Sequence, residues 1–365
     1  MLTGKSLIEA TLRGKPHQGN AFWVGHPSDA AKEIYYPRLG IVADPESEMQ
    51  KKYAEQTLLL ATKSGRDEID LNIAIQSDMI WITPELDIAC WQHPEGKPVW
   101  DCFKAERHDL GDVGIFADCE DIKEVEEFEW PDPDYYNFSS ILDKIEYARQ
   151  NDLAIFGGMW SPFFHIVADF FGMENYFIKM YTDPDVVHAV SIKVAEFLCA
   201  ANDKLLKLCG DSLSAGFIGN DLGTQRSLII SPDQFKEFVR PYLRQIFQGI
   251  KKYNLKVAMH SCGSIDSIIP LLIEDGIDVL HPLQALAAGM EAKSLADRFG
   301  GRLIFLGGVD TQRLLPFGTP DQVRDEVLRL REILGPDFIV SPSHEALLAN
   351  VPFENVLAMS KAAKE

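Results

Sequence analysis

The chain has 365 residues, 46% of them hydrophobic and 25% charged, with a formal net charge of −20. A chain of that length and composition is globular, and its core needs neither a disulfide framework nor a structural metal to fold. The acidic balance argues against nucleic acid and anionic membrane surfaces as partners, because binding phosphate requires clustered Lys and Arg.

The opening residues predict an amphipathic helix. Thr3 can cap it, Leu7, Ile8 and Leu12 recur at helical spacing, and Gly14 with Pro16 ends it. Neither the unbroken apolar core of a signal peptide nor a run of ~20 apolar residues is present. The six cysteines are scattered, as reduced thiols of a cytosol would be, so a soluble, cytoplasmic protein is expected.

AFWV (21–24) reads as a first strand, and 46–76 returns to a helical pattern. A repeating unit then sets in, a short apolar run ending in polar residues or glycine, followed by an amphipathic helix. The runs are MIWI (79–82), LAIF (153–156), AGFIG (215–219), KVAM (256–259), DVL (278–280), LIFL (303–306) and FIV (338–340). Helical stretches such as 232–253 and 319–335 separate the later ones. Buried strands alternating with helices make a parallel sheet, and eight of them predict a (β/α)8 TIM barrel forming one domain over 1–365. The segment from about 84 to 150 breaks the repeat and is expected to be an excursion between strands two and three. Its acidic stretch, 118–134, reads first as a solvated face.

A parallel barrel does its chemistry at the carboxyl ends of its strands. The candidates there are His26, Asp78 with Thr83 and Glu85, Gly157 through Trp160, Asn220, Asp221, His260, Cys262, His281, Gln284, Asp310 and Ser341 through His344. In MHSCGS (259–264), His260 and Cys262 lie two apart, so on extended backbone their side chains point the same way. Imidazole and thiolate side by side make half of a tetrahedral zinc site; a buried thiol beside a backbone-bonded histidine is the plainer alternative. His344, closing the last strand, is the natural third ligand, with Glu345 a weaker one and His281 a rival. Asp221 caps the next turn or presents a carboxylate for proton transfer, a role Asp78 and Glu85 can also take. Trp23, Trp81, Trp160 and Phe163, with Phe22, are candidates for an aromatic substrate wall or for barrel core, and Gln284 for a polar substrate contact. No phosphate-binding glycine loop appears.

Motifs in QSDMIWITPE, FGGMWSPF, YTDPDVV, GFIGNDLGTQ, HSCGS, VLHPLQ, GGVD and PSHEALLANVPFENV, spread over nearly the whole chain, resemble the uroporphyrinogen decarboxylase superfamily. That resemblance implies a single (β/α)8 barrel and one of two activities. One branch decarboxylates porphyrinogens without metal; the other holds zinc-dependent methyltransferases that move methyl groups to or from a corrinoid (cobalamin) protein. The arginine-rich substrate signature of decarboxylases is replaced here by FWVGHPSDAAK, and their tyrosine by Ala168 or Asp169. Asp78 resembles their essential aspartate, and His344 their late histidine. His260 and Cys262 match the methyltransferases' zinc ligands, whose third, a cysteine, is His344 here. The resemblance therefore implies a zinc methyltransferase demethylating a small donor, an O-demethylase of methoxylated aromatics being one form, with a separate corrinoid protein as partner. The 118–134 stretch is a lesser candidate for that partner's docking surface. A metal-free decarboxylase and a non-catalytic corrinoid- or tetrapyrrole-binding protein are the alternatives.

Overall fold

The computed structural model describes residues 2–44, 65–86, 88–102 and 112–365. Seven strands form one parallel sheet in sequential order: β1 (Met79–Ile82), β2 (Ala154–Gly157), β3 (Ala215–Gly219), β4 (Lys256–His260), β5 (Val279–Leu283), β6 (Ile304–Val309) and β7 (Phe338–Pro342). The run at 21–24, expected to be a strand, makes only one ladder bridge, Phe22 to Val340 of β7. The reason lies in its partners. Trp23 N donates to Val340 O and Val340 N to Ala21 O, but on the β1 side Phe22 N donates to the Asp78 carboxylate and Val24 N to the Ser77 hydroxyl. Asp78 N does donate to Phe22 O there, so one backbone bond and two side-chain acceptors stand in for a full ladder. The architecture is a curled seven-stranded parallel α/β sheet, consistent with a barrel.

Alternation along the strands divides the core in two. Met79, Trp81, Phe156, Phe217, Leu306 and Ile339 face inward, where Trp23 joins them. Ile80, Ile155, Ile218, Val257, Leu280 and Phe305 face outward against the helices. Burying each large side chain contributes about 1.5–3 kcal/mol, so slipping one strand by a residue would forfeit several such terms. The helix Gly4–Leu12 adds Leu7, Ile8 and Leu12 to the inner cluster. Its first turn is fixed at the amino ends of the strands, with Gly4 N bonded to Asp78 and Lys5 N to Asp152 O.

The helical segment expected over 46–76 appears as Arg66–Ala74, and 46–64 lies outside the described residues. The expected excursion is shorter than 84–150, because Ser139–Gln150 is the ordinary crossover helix into β2. Before it, Trp91, Trp100, Phe116, Phe128, Trp130 and Tyr136 pack on Phe170 and Phe197 of the helices Phe163–Phe171 and Pro184–Cys209. Its acidic helix, Ile122–Glu127, buries Val125 and leaves its glutamates in solvent. The 232–253 helix contains a π turn, Phe235–Val239, just ahead of Pro241. Proline has no N–H to donate, and the widened turn absorbs the gap in the ladder. Among the described residues no disulfide joins the cysteines. Among the described residues no helix is long and apolar enough to cross a membrane.

Candidate active site and metal centre

His260 ends β4, and His281 stands opposite it in register on β5. Neighbouring positions on parallel strands carry their side chains to the same face, so both imidazoles enter the barrel mouth. Their Nδ1 atoms lie 3.0 Å apart, with one ring donating and the other accepting. The other nitrogen of His260, Nε2, is 3.0 Å from Asp221 Oδ1 and 3.3 Å from Cys262 Sγ. Asp221 leads the loop after β3, and its Oδ1 also accepts from Cys262 N at 2.9 Å. One carboxylate thus fixes both the turn that carries the thiol and the ring beside it.

Two groups of side chains among the described residues are tight enough to hold an ion: Asp221, His260 and Cys262, and His260, His281 and Glu345. They use opposite edges of the His260 ring, so an ion taken at Nε2 leaves Nδ1–H for the second set. An imidazole ligand oriented by a carboxylate at its far nitrogen is the usual arrangement around protein-bound metals. The thiol places the softer donor set on the Nε2 side, which suits zinc.

The electrostatics fit a cation. Burial works against a charge on His260, yet Glu345, Cys262 and Asp221 outweigh it and hold its pKa well above the ordinary histidine range. Burial likewise opposes ionisation of Asp221, and the His260 charge and hydrogen bond, with the bond from Cys262 N, reverse the balance and hold its carboxyl far below the usual range. His281 goes the other way. Burial, then the charges of His260 and His344, push it well below the ordinary value, so it is neutral, and its Nε2 has no hydrogen-bond partner among the described residues. Glu345 Oε2 is buried, accepts no hydrogen bond from the described residues and lies 3.3 Å from His260 Nδ1. A buried carboxylate oxygen without a donor is costly, and a positive centre beside it removes that cost.

His344, expected as the third ligand, belongs to neither tight group. Its Nδ1 accepts from Ala346 N at 3.0 Å, and a hydrogen bond to Cys262 overcomes the effect of burial and raises its pKa. Its ring centroid is 6.1 Å from that of His260, whereas Asp221 Oδ1 is 3.0 Å from His260 Nε2.

Asp78 does not reach the site. It precedes β1, at the amino end of the sheet, where it accepts from Gly4 N and Phe22 N at 2.8 Å each and from Lys364. Phe163 is also elsewhere: it is fully buried outside the sheet, stacked on Tyr242, and Phe22 lies in that outer core. Gln284 accepts from Gly263 N at 2.8 Å and from Gln225 at 3.3 Å, and so anchors the turn after Cys262.

The other aromatics, Trp23, Trp81 and Trp160, gather on the inner face of the sheet. Trp160 stands 5.3 Å from the His260 ring and 4.6 Å from Trp81, centroid to centroid. Trp23 lies 5.5 Å from the His281 ring and is 1% exposed, so it is floor rather than wall. A Cβ at Gly219 would overlap the Trp160 indole, which explains glycine at the end of β3. The next residue, Ser161, holds φ +55°, a conformation costly for a residue with a side chain. Asn220 donates to Ser161 O and keeps the turn in place.

Glu85 secures the same turn, accepting from Trp160 N at 2.9 Å and from Thr83. Burial pushes its carboxyl above the ordinary range, against the hydrogen bonds from Thr83 and Trp160 N. Between its unfolded and folded pKa values the folded state therefore keeps a proton that the unfolded chain releases. That contribution is full below the unfolded pKa and is lost as pH rises through the folded one. Glu85→Gln, which copies the neutral acid, should melt no lower than wild type at pH 8. Glu85→Ala, which leaves Trp160 N unpaired, should cost about 1–3 kcal/mol at both pH 5 and pH 8. Equal losses in the two variants would refute a neutral Glu85.

A buried charge cluster sits beside Trp81. His26 and Lys32 both bond Glu68, the lysine at 3.0 Å, and His26 meets the Trp81 ring at 5.7 Å. Burial opposes the Glu68 charge, but His26 and Lys32 lower its pKa overall. The available signal was RDEIDLNIA (66–74), whose helix buries two consecutive acids, Asp67 and Glu68.

Residues 115–365 match the uroporphyrinogen decarboxylase (URO-D) family. Over 228 residues the chain is 26% identical to the methylated-thiol–coenzyme M methyltransferase of Methanosarcina mazei, covering 61% of this chain and 56% of that protein. It is 24% identical over 187 residues to the uroporphyrinogen decarboxylase of Chlorobium luteolum, covering 49% of this chain and 48% of that protein. The matches thus span about half the length of these relatives. A solved methyltransferase from Methanosarcina mazei superposes with a TM-score of 0.67 at 18% identity, covering 100% of this chain and 98% of that one. At that identity the likeness is one of fold.

Proposed function

The chain belongs to the uroporphyrinogen decarboxylase family, and from that premise we propose that it is a zinc-dependent methyltransferase acting with a separate corrinoid protein. The methyl donor in this reading is small, and a methoxylated aromatic compound fits the wall made by Trp81 and Trp160. One observation carries the proposal: a thiol, an imidazole and a carboxylate converge at the carboxyl ends of β3 and β4. The name of the Methanosarcina relative supports methyl transfer.

Cys262 Sγ and His260 Nε2 would hold the zinc, with Asp221 or His344 completing three protein ligands and one position left open, the pattern of catalytic zinc. Zinc bound there acts as a Lewis acid on the donor heteroatom, stabilising the charge it gains as the methyl group leaves. Histidine in place of a second thiolate makes that acid stronger, which suits an ether better than a thiol. Glu345 and His281 keep the His260 ring oriented from Nδ1. Trp160, held by Glu85 and Asn220, excludes water from one side and offers a flat apolar face to the donor. In this reading the run 21–24 is an eighth stave, the whole chain is one barrel domain, and the free thiols belong to a cytoplasmic protein.

The decarboxylase alternative is weaker, since Asp78 lies at the amino end of the sheet and FWVGHPSDAAK (22–32) stands where decarboxylases carry their arginine-rich signature. Simple corrinoid or tetrapyrrole binding has no use for a thiol–imidazole pair. Metal analysis of the purified protein, paired with a methylation assay using cob(I)alamin and methoxylated aromatics, tests the proposal. About one zinc per chain and zinc-dependent methylcobalamin formation are expected. Full activity in a chelator would overturn it.

A further inference from the structure

One carboxylate holds both sides of the bend that follows the run 21–24. Glu68 accepts from Lys32 at 3.0 Å with one oxygen and from His26 Nδ1 with the other, and all three residues are buried. Between His26 and Lys32, the Ser28 hydroxyl accepts from Ala31 N and starts the helix Asp29–Leu39. Glu68 itself belongs to the helix Arg66–Ala74, which leads into β1. A buried ion pair is a poor source of stability, because desolvation offsets most of the attraction. What it supplies is a fixed direction for each partner.

The bend is stitched to the segment after β7. His26 N donates to Glu345 O at 2.7 Å and Ser28 N to Leu347 O at 2.9 Å. A Cβ on Gly25 would come within 2.4 Å of Glu345 O, so the two backbones meet there without room to slide. That same segment brings His344 to Cys262 through a hydrogen bond and places Glu345 Oε2 3.3 Å from His260 Nδ1. The His26 ring also meets the edge of Trp81, which packs on Trp160 beside His260. Both the backbone path and the aromatic path from Glu68 to the site run through His26.

We propose that Glu68 is a positioning residue for the thiol–imidazole site, acting through His26 on the segment that carries His344 and Glu345. The inference rests on the zinc reading for what the site holds, but the placement of His344 is measurable without metal. In the full chain, Glu68→Gln replaces one of the two accepting oxygens with a donor. His26→Gln removes the imidazole but leaves the Glu68–Lys32 pair whole, and it carries the test should Glu68→Gln fail to fold. Each should lower zinc affinity about 10–100-fold, the usual cost of losing a partner behind a metal ligand. The double variant should lose no more than the more affected single one, because residues that act in series are not additive. Asp78→Ala removes a buried acceptor at the amino end of the sheet and should keep wild-type zinc affinity, which separates positioning from lost stability. In the metal-free chain, alkylation of Cys262 by iodoacetamide, measured against Cys262→Ser, should quicken severalfold in both variants as His344 leaves the sulfur. A wild-type chain that binds no zinc while the variants still show this quickening defeats the zinc reading and keeps the positioning role. Unchanged alkylation in His26→Gln, an equal zinc loss in Asp78→Ala, or additive losses in the double variant overturns the proposal.

Discussion

Replacing Cys262 by serine should remove the zinc and lower methyl transfer by roughly 10³-fold, with the fold retained. A Lewis acid contributes several kcal/mol to stabilising the departing group, and each 1.36 kcal/mol is a factor of ten in rate. Serine keeps the shape of the turn but is a poor zinc ligand at neutral pH, where its hydroxyl stays protonated. The fold should survive because the strands bury their cores without the ion, and the melting temperature should lose only the stabilisation that ligand binding adds. Asp221→Asn and His344→Ala complete the experiment. If Asp221 is the third ligand, its variant loses metal along with Cys262→Ser, whereas His344→Ala, which removes only a partner of the thiol, loses about 10–100-fold in affinity. The reverse order would make His344 the ligand. Retention of stoichiometric zinc by Cys262→Ser would refute the site altogether.

Asp78→Ala should destabilise the protein while leaving the specific activity of its folded fraction within about twofold of wild type. Asp78 is 2% exposed and satisfies three donors from distant parts of the chain: Gly4 of the first helix, Phe22 of the run beside β7, and Lys364 near the carboxyl end. Removing it leaves two enclosed N–H groups and an ammonium without their acceptor, at a cost of about 3 kcal/mol. For a chain of this size that lowers the melting temperature by roughly 4 °C. Differential scanning calorimetry and kcat at 25 °C separate the outcomes. A large fall in kcat with an unchanged melting temperature would return Asp78 to catalysis and revive the decarboxylase reading.

Asp78 also shows how far periodicity carries. Short apolar runs alternating with amphipathic helices locate β1 through β7, because burial on both faces of a parallel strand demands such runs. The same logic places His260 and Cys262 at a strand end on one side of the backbone, a purely local consequence of extended geometry. It cannot distinguish the residue before a strand from the residue after it when both are polar, and so Asp78 was grouped with Thr83 and Glu85. Nor does it show that 21–24 satisfies its N–H groups on Ser77 and Asp78 side chains, since hydrogen-bond partners 53 and 56 residues away leave no periodic trace.

By itself the sequence determined the parallel α/β architecture and the thiol–imidazole pair at the carboxyl end of a strand, since each follows from spacing within a few residues. Only the tertiary structure decided the company that pair keeps. Asp221 comes from the loop after β3, His281 from β5 and Glu345 from beyond β7, and which oxygen or nitrogen reaches His260 depends on register across strands. It likewise set Phe163 outside the sheet and Trp160 inside its mouth, because the inward or outward turn of a side chain after a strand depends on the neighbouring loop: here a glycine at 219 and a strained serine at 161. Distances between residues far apart in the chain are consequences of packing, and no local pattern encodes them.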